Sequence, residues 1–236
     1  MARMEREYDP IHPRGTDWRG IFQRIWAPIA VVIGAALKFG FAIFKFFSIF
    51  IAVAGYALIW GWKFAIGFVL LILIHELGHF FEARRQGLHA TWPTFIPFFG
   101  AYVLIKDAPL NPWRNALVSL AGPAYGGVAA AVCWAIGEAY NSDLLRALAY
   151  AGFLINLINL IPIGILDGGS VWRSIQLARH SVEAPPGQAF AMGSTYPIAV
   201  PGGGPSRAVQ IGTLYALLIV LLILGMIATH VTQHRL

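Results

Sequence analysis

Three side chains within five residues carry the strongest chemical signal in this sequence. His75, Glu76 and His79 lie in the segment LLILIHELGHFFEARR, residues 70–85, which is apolar over most of its length. Residues four apart share one face of a helix, so the two imidazoles could bind a single ion while Glu76 reaches a water molecule beside it. The spacing H-E-x-x-H therefore predicts two zinc ligands and a general base within about one helical turn.

The apolar surroundings bear on this interpretation. Five-residue patterns also arise by chance, and a single histidine in a helix is usually packed or solvated. Two histidines and a carboxylate inside an apolar helix, however, are costly unless they pair, line a cavity or bind a metal. The metal-binding interpretation is therefore favoured.

The composition predicts an all-α polytopic membrane protein. Of the 236 residues, 58% are hydrophobic and only 12% are charged, which is far from the balance of a soluble domain. The formal charge of +6 does not indicate nucleic acid, because the basic residues lie at the ends of apolar segments, where they set topology. We therefore expect a lipid bilayer around the chain and no nucleic-acid partner. The single cysteine, Cys133, excludes an intrachain disulfide.

About five to six transmembrane helices are expected after a cytoplasmic tail, residues 1–24. Residues 27–46 are predicted either to lie at the membrane interface or to span it, residues 47–62 to cross it, and residues 64–83 to return as the helix with H-E-x-x-H. The two arginines after this helix mark its end as cytoplasmic by the positive-inside rule. With the tail cytoplasmic as well, an odd number of crossings must precede this helix, which favours the interfacial position for 27–46. The expected location is a prokaryotic cytoplasmic membrane.

The chain after the tail is predicted to form one membrane-embedded domain, residues 25–236, with a core at 47–173. Two prolines and a glycine break the segment near 91–106, so a small membrane-associated extended hairpin is expected there. Its edge could pair with an unwound peptide, or the segment could be only a connector. Further helices are expected at 114–137, from 144 to about 163 and at 208–229, with a Pro/Gly-rich loop at 181–206.

A catalytic zinc site needs a third protein ligand, and depth in the membrane favours Asp167. His79 lies five residues before Arg84, and Asp167 lies six residues before Arg173. At about 1.5 Å per helical residue, both side chains would lie roughly 8–9 Å from the cytoplasmic border. The acids of residues 138–143 fall at the opposite surface and fail this test.

Two asparagines and a glutamate near these residues have alternative roles. Asn156 and Asn159 lie three apart before Asp167 and are predicted to face the site. Asn159 could hydrogen-bond a substrate carbonyl during catalysis, or it could only link helices. Glu82 follows His79 by three residues, but it borders the headgroup region and is interpreted as the salt-bridge partner of the arginines after it.

The two motifs together resemble the site-2 protease family of intramembrane zinc metalloproteases. HELGH (75–79) in a membrane helix is paired with N-x-x-P-x-x-x-L-D-G-G at residues 159–169. The flanking segments EARRQG (82–87), FIPFFGAYV (95–103) and AGP (121–123) are similar to that family too. The resemblance covers about residues 47–173.

This resemblance implies a function and a set of roles. It implies one Zn²⁺ per chain, held by His75, His79 and Asp167, with Glu76 as the base. It also implies membrane-spanning protein substrates that are cut near the cytosolic face in regulated intramembrane proteolysis. The sequence departs from the family at Gly126, where an asparagine is often found. Two alternatives are a membrane zinc peptidase with a glutamate as third ligand, and a non-catalytic membrane protein that binds or transports metal.

Overall fold

Most of the chain can be described from a computed structural model, which divides into two compact units, Met1–Lys45 and Phe46–Leu236. Residues 18–96, 100–106, 111–183, 198–200 and 203–233 are described. Most of the predicted tail and most of the predicted loop at 181–206 therefore lie outside the described residues. The last part of that tail, from residue 18, is helical.

The described residues are mostly helical, as the composition predicted. The helices are α1 (Trp18–Trp60), α2 (Trp62–Arg85), α3 (Pro112–Ala139), α4 (Asp143–Asn159), α5 (Asp167–Arg179) and α6 (Pro205–Gln233). The strands are β1 (Thr94–Ile96), β2 (Gly100–Tyr102), β3 (Ser181–Glu183) and β4 (Ile198–Val200). The first two strands pair antiparallel and the last two pair parallel.

Three of these helices are long and apolar enough to cross a membrane: α2, α3 and the Pro205–His230 part of α6. The chain is thus an integral membrane protein, but the predicted count of five to six spans is not confirmed. The segments predicted separately as 27–46 and 47–62 form one unbroken helix, α1. The physical reason is that Pro28 is the only proline inside that helix, so nothing interrupts its backbone hydrogen bonds after the first turns.

Local sequence explains where the other helices begin and end. A tight turn at Gly61, with φ of 79°, separates α1 from α2. Asn111 accepts a hydrogen bond from the backbone N–H of Arg114 at 3.1 Å, and so caps α3. Helix α4 ends at Asn159, four residues before the predicted end, because Pro162 lacks a backbone N–H and disfavours helical geometry before it.

The predicted hairpin near 91–106 is confirmed as a two-stranded antiparallel sheet, extended by a bridge between Ala90 and Ile105. The C-terminal part of α1 holds both strands. The Ser48 hydroxyl accepts a hydrogen bond from the backbone N–H of Phe95 at 3.2 Å, and the Tyr56 hydroxyl is hydrogen-bonded to the backbone of Gly100. The sheet is thereby fixed beside α2.

Close backbone contact brings α2 and α3 together. A Cβ atom added at Gly78 would lie 2.5 Å from the carbonyl oxygen of Ala121, so only glycine permits this approach. One buried apolar cluster joins α1, α2, α4 and β1. Another contains residues of α3, α4, α5 and α6. The H-E-x-x-H turn of α2 is therefore packed against α3 and cannot rotate freely.

Candidate metal centre

The structure brings His75, His79 and Asp167 together, although the third lies on a different helix. The two histidines lie on the buried face of α2, and their Nε2 atoms are 3.2 Å apart. Asp167 is the first residue of α5, and its carboxylate oxygens lie 3.2 Å from each of these nitrogens. Three donor atoms from two helices therefore converge on one point.

The spacing of these atoms fits a zinc ion. With metal–ligand distances of about 2.0–2.1 Å in a tetrahedral site, two ligand atoms would lie roughly 3.3–3.4 Å apart. The separation of 3.2 Å between the two Nε2 atoms agrees with that value, and each of them has one of the two carboxylate oxygens of Asp167 at the same distance. One nitrogen from each imidazole and one carboxylate also form a donor set that zinc prefers.

Hydrogen bonds at the other ring nitrogens orient both imidazoles. The Nδ1 of His79 donates to the carbonyl oxygen of Val118 at 2.8 Å. Asn156 donates its own amide to the carbonyl of Gly152 at 2.7 Å, so its Oδ1 is free to accept from Nδ1 of His75, also at 2.7 Å. Both Nδ1 atoms thus carry the proton, and both Nε2 lone pairs face the carboxylate.

The role of Asn156 was missed in the sequence, which placed this residue near the site without a partner. Gly126 makes the contact possible, because a Cβ atom there would lie 2.3 Å from Oδ1 of Asn156. Gly126 is also the position where the sequence departs from the family pattern. A buried asparagine in an apolar helix was the available signal, but its partner could not be read from spacing.

The glycines after Asp167 explain how it reaches the histidines. A Cβ atom added at Gly168 would lie 2.1 Å from the carbonyl oxygen of Leu160, so α5 can begin close to the end of α4 only without a side chain there. Burial penalises the charge of the carboxylate, whereas the N-terminal end of α5 favours it and a cation held between it and the two Nε2 atoms would favour it further. The position suits a charged metal ligand.

Glu76 and Asn159 face the same cavity as the ligands. This cavity has a volume of about 600 Å³ and is lined by all five predicted site residues. The carboxylate of Glu76 is buried and accepts a hydrogen bond from the backbone N–H of Val103, just after β2. The Glu76 carboxylate is thus held between the candidate ligands and the hairpin.

The remaining acidic residues considered from the sequence lie elsewhere. Arg85 donates two hydrogen bonds of 2.7 Å to the carboxylate of Glu82, which is the predicted salt bridge. Glu138 and Asp143 pair with Arg146 at the turn between α3 and α4. None of these three carboxylates lines the large cavity.

Comparison with known proteins finds one family whose model matches part of the chain. Residues 63–142 match the model of peptidase family M50. Zinc metalloprotease MJ0392 of Methanocaldococcus jannaschii is 25% identical over 144 residues, 59% of this chain and 41% of that protein. "Putative zinc metalloprotease Rip3" of Mycobacterium tuberculosis is 31% identical over 153 residues, 59% of this chain and 39% of that protein.

A third relative, "Putative zinc metalloprotease sll0528" of Synechocystis, is 32% identical over 109 residues, 44% of this chain and 28% of that protein. The chain thus spans less than half the length of these relatives. The matches confirm the predicted resemblance to the site-2 protease family and support a zinc metalloprotease. The family match includes H-E-x-x-H but ends before Asp167, so the third ligand rests on geometry.

Proposed function

Because residues 63–142 match peptidase family M50 and three donor atoms meet beside a buried glutamate, we propose that this chain is an intramembrane zinc metalloprotease. It hydrolyses peptide bonds of membrane-spanning proteins near the cytosolic face and holds one Zn²⁺. The observation that carries the proposal is the shared cavity, which gives the ligand set and Glu76 access to the same substrate atoms.

The residues of the site divide the chemistry between them. Zinc held by His75, His79 and Asp167 would polarise the scissile carbonyl and lower the pKa of a water molecule. Glu76 takes the proton of the attacking water and delivers it to the leaving amine. The hydrogen bond from Val103 orients this carboxylate without filling the cavity.

Asn159 acts on the carbonyl oxygen of the substrate. Its side chain lines both cavities that contain Glu76, on the wall formed by the end of α4. An amide there can donate a hydrogen bond as negative charge develops on the oxygen, and such a donor strengthens in a site closed to water. Asn159 takes no part in the hydrogen bonds that orient the two imidazoles, which go to Asn156 and to the carbonyl of Val118.

The hairpin supplies a place for the substrate backbone. A helical substrate hides its carbonyls in hydrogen bonds, so it must unwind before it can be cut. Residues of β2, including Ala101 and Tyr102, line the large cavity together with the ligands. An unwound segment can add to the edge of this sheet through backbone hydrogen bonds, which are independent of side-chain identity.

The topology follows from the same proposal. The basic end of α2, with Arg84 and Arg85, lies on the cytosolic side, and the N-terminus is cytoplasmic as well. Residues 25–236 form one membrane-embedded domain in a prokaryotic cytoplasmic membrane. Cleavage would release a fragment of the substrate towards the cytosol. The reaction would then be a step in regulated intramembrane proteolysis.

The test is the variant Glu76→Gln, co-expressed with candidate single-pass membrane proteins. We expect the uncut substrate to accumulate with the variant and not with the unmodified chain. Elemental analysis of both purified proteins should give about one zinc per chain, since glutamine leaves the three ligands intact.

Two results would contradict this proposal. Cleavage that persists in Glu76→Gln would show that another group is the base. Stoichiometric zinc without any Glu76-dependent cleavage would instead indicate a metal-binding or metal-transport protein.

A further inference from the structure

A second, smaller cavity opens beside the candidate base. It has a volume of about 100 Å³, and its apolar wall comes from α2, β2 and α4. Those apolar wall residues are Ile72, Gly100, Ala101 and Ile155. We propose that this cavity, here called the side-pocket, binds an aliphatic side chain next to the scissile bond and excludes aromatic ones. The inference rests on the proposed function and names a substrate class for it.

The side-pocket is open to the reacting atoms and is not a separate packing defect. His75, Glu76, Ala101 and Asn159 line both this cavity and the large one. A peptide whose carbonyl lies between Glu76 and Asn159 would therefore have an adjacent side chain at the mouth of the side-pocket. The apolar wall then favours an apolar side chain at that position.

The volume of the side-pocket limits the size of the substrate side chain that can enter it. A cavity of about 150 Å³ with an apolar lining admits benzene. The side-pocket, at about 100 Å³, is smaller than that. Side chains such as those of alanine, valine and leucine should enter it, whereas an aromatic ring should not.

One residue, Ile155, limits the side-pocket on its far side. It also lines a neighbouring cavity of about 290 Å³, which includes the aromatic rings of Trp60, Phe64 and Phe68. Ile155 is the one residue that the two cavities share. Truncating this side chain would connect them and make room for a ring.

The wall formed by β2 offers a test in which the side-pocket is made smaller rather than larger. Ala101 lies in the middle of β2, opposite Phe95 in the sheet register. Its methyl group lines the side-pocket, so a longer side chain at this position would fill the space. The same backbone position remains available for strand pairing, because the change adds no ring and no charge.

The experiment profiles cleavage of a peptide library by the full chain, purified in detergent with zinc. The probe is a library of apolar, membrane-spanning peptides of varied sequence, dissolved in the same detergent, and mass spectrometry records the residues on both sides of each cut bond. The variants are Ile155→Ala, Ala101→Leu and, as the matched control, Ile158→Ala. Ile158 lies on the same helix and lines the neighbouring cavity but not the side-pocket.

We expect the unmodified chain to select small and aliphatic residues at one position flanking the cut. Ile155→Ala should raise cleavage at aromatic residues at that position by at least about tenfold, which is the scale for a changed apolar contact. Ala101→Leu should lower cleavage at leucine relative to alanine by a similar factor. Ile158→Ala should leave the profile unchanged.

The possible failures are distinguishable. If the unmodified chain makes no cut that Glu76→Gln abolishes, the proposed function fails and the inference fails with it. If Glu76-dependent cuts occur but Ile155→Ala and Ala101→Leu both keep the profile of the unmodified chain, only the side-pocket is wrong. Should Ile155→Ala not fold, the Ala101→Leu profile decides alone.

Discussion

The described residues include one cluster of polar side chains around the buried Arg146 and another around the buried His75 and His79, and the two differ in how their atoms are paired. At the turn between α3 and α4, Arg146 is buried and donates to Glu138 at 3.0 Å and to Asp143 at 2.8 Å. A third donation goes to Asn141. Each nitrogen of the guanidinium thus has an acceptor within the cluster, and two of those acceptors are carboxylates that balance its charge.

The candidate metal centre has the opposite arrangement. Its outer atoms are paired, with His75 bound to Asn156 and His79 to the backbone of Val118. Its inner atoms, two Nε2 atoms and a carboxylate, face one another beside a cavity of about 600 Å³. In a cluster that only stabilises a fold, the polar atoms are hydrogen-bonded to one another, and we call such a cluster saturated. In a cluster that binds an ion, the lone pairs of several side chains are directed at one point.

The largest expected effect is the loss of the third ligand. Asp167→Ala leaves two imidazoles, which are too few for a stable zinc site. Zinc affinity should fall by more than the roughly 100-fold that loss of an outer hydrogen-bond partner causes, and proteolysis should stop. Zinc content and substrate cleavage measure the two effects.

The matched control for this change is Asp143→Ala, which removes a carboxylate from the saturated cluster. It should keep the zinc content and the cleavage rate of the unmodified chain. Retained zinc and activity in Asp167→Ala would assign the third ligand to another residue, as in the alternative with a glutamate.

A smaller effect is expected from Asn156, a positioning residue that acts through His75. Asn156→Ala removes the acceptor for Nδ1, so the ring loses its fixed orientation and tautomer. Zinc affinity should weaken by roughly 10- to 100-fold. A zinc titration against a competing chelator measures this without any substrate.

Asn159→Ala is the comparison for that measurement. This residue lines the cavity but makes no hydrogen bond to either imidazole, so its loss should reduce kcat and leave the zinc affinity unchanged. Equal zinc affinities for Asn156→Ala and the unmodified chain would remove Asn156 from the positioning role.

The sequence could predict contacts between residues that lie close together along the chain more readily than contacts between distant ones. His75, Glu76 and His79 lie within one turn, so their common face follows from helical geometry alone. Asp167 followed from matched depth, and the structure does bring it to the histidines. The contact between His75 and Asn156 joins residues 81 apart, and it depends on the space left by Gly126. No local pattern encodes such a contact.

The fold shows the same division. The hairpin near 91–106 was predicted, because proline and glycine interrupt regular helix locally. The continuity of α1 was not, since an unbroken apolar stretch can be one long helix or two shorter ones. The number of spans stays a prediction: among the described residues three helices are long and apolar enough to cross a membrane, and Phe47–Trp60 is a shorter apolar segment.

The smallest effect on the metal is expected at Arg146, which belongs to the saturated cluster. Arg146→Leu removes donors from Glu138 and Asp143, whose side chains are 40% and 90% exposed and can turn to water. The loss should therefore be only about 1–2 kcal/mol of unfolding free energy, without the larger penalty of a stranded buried charge. Thermal unfolding in detergent should show the lower stability while the zinc affinity stays unchanged. A weaker zinc affinity in Arg146→Leu would mean that the two clusters are coupled through α4, and the contrast between them would no longer hold.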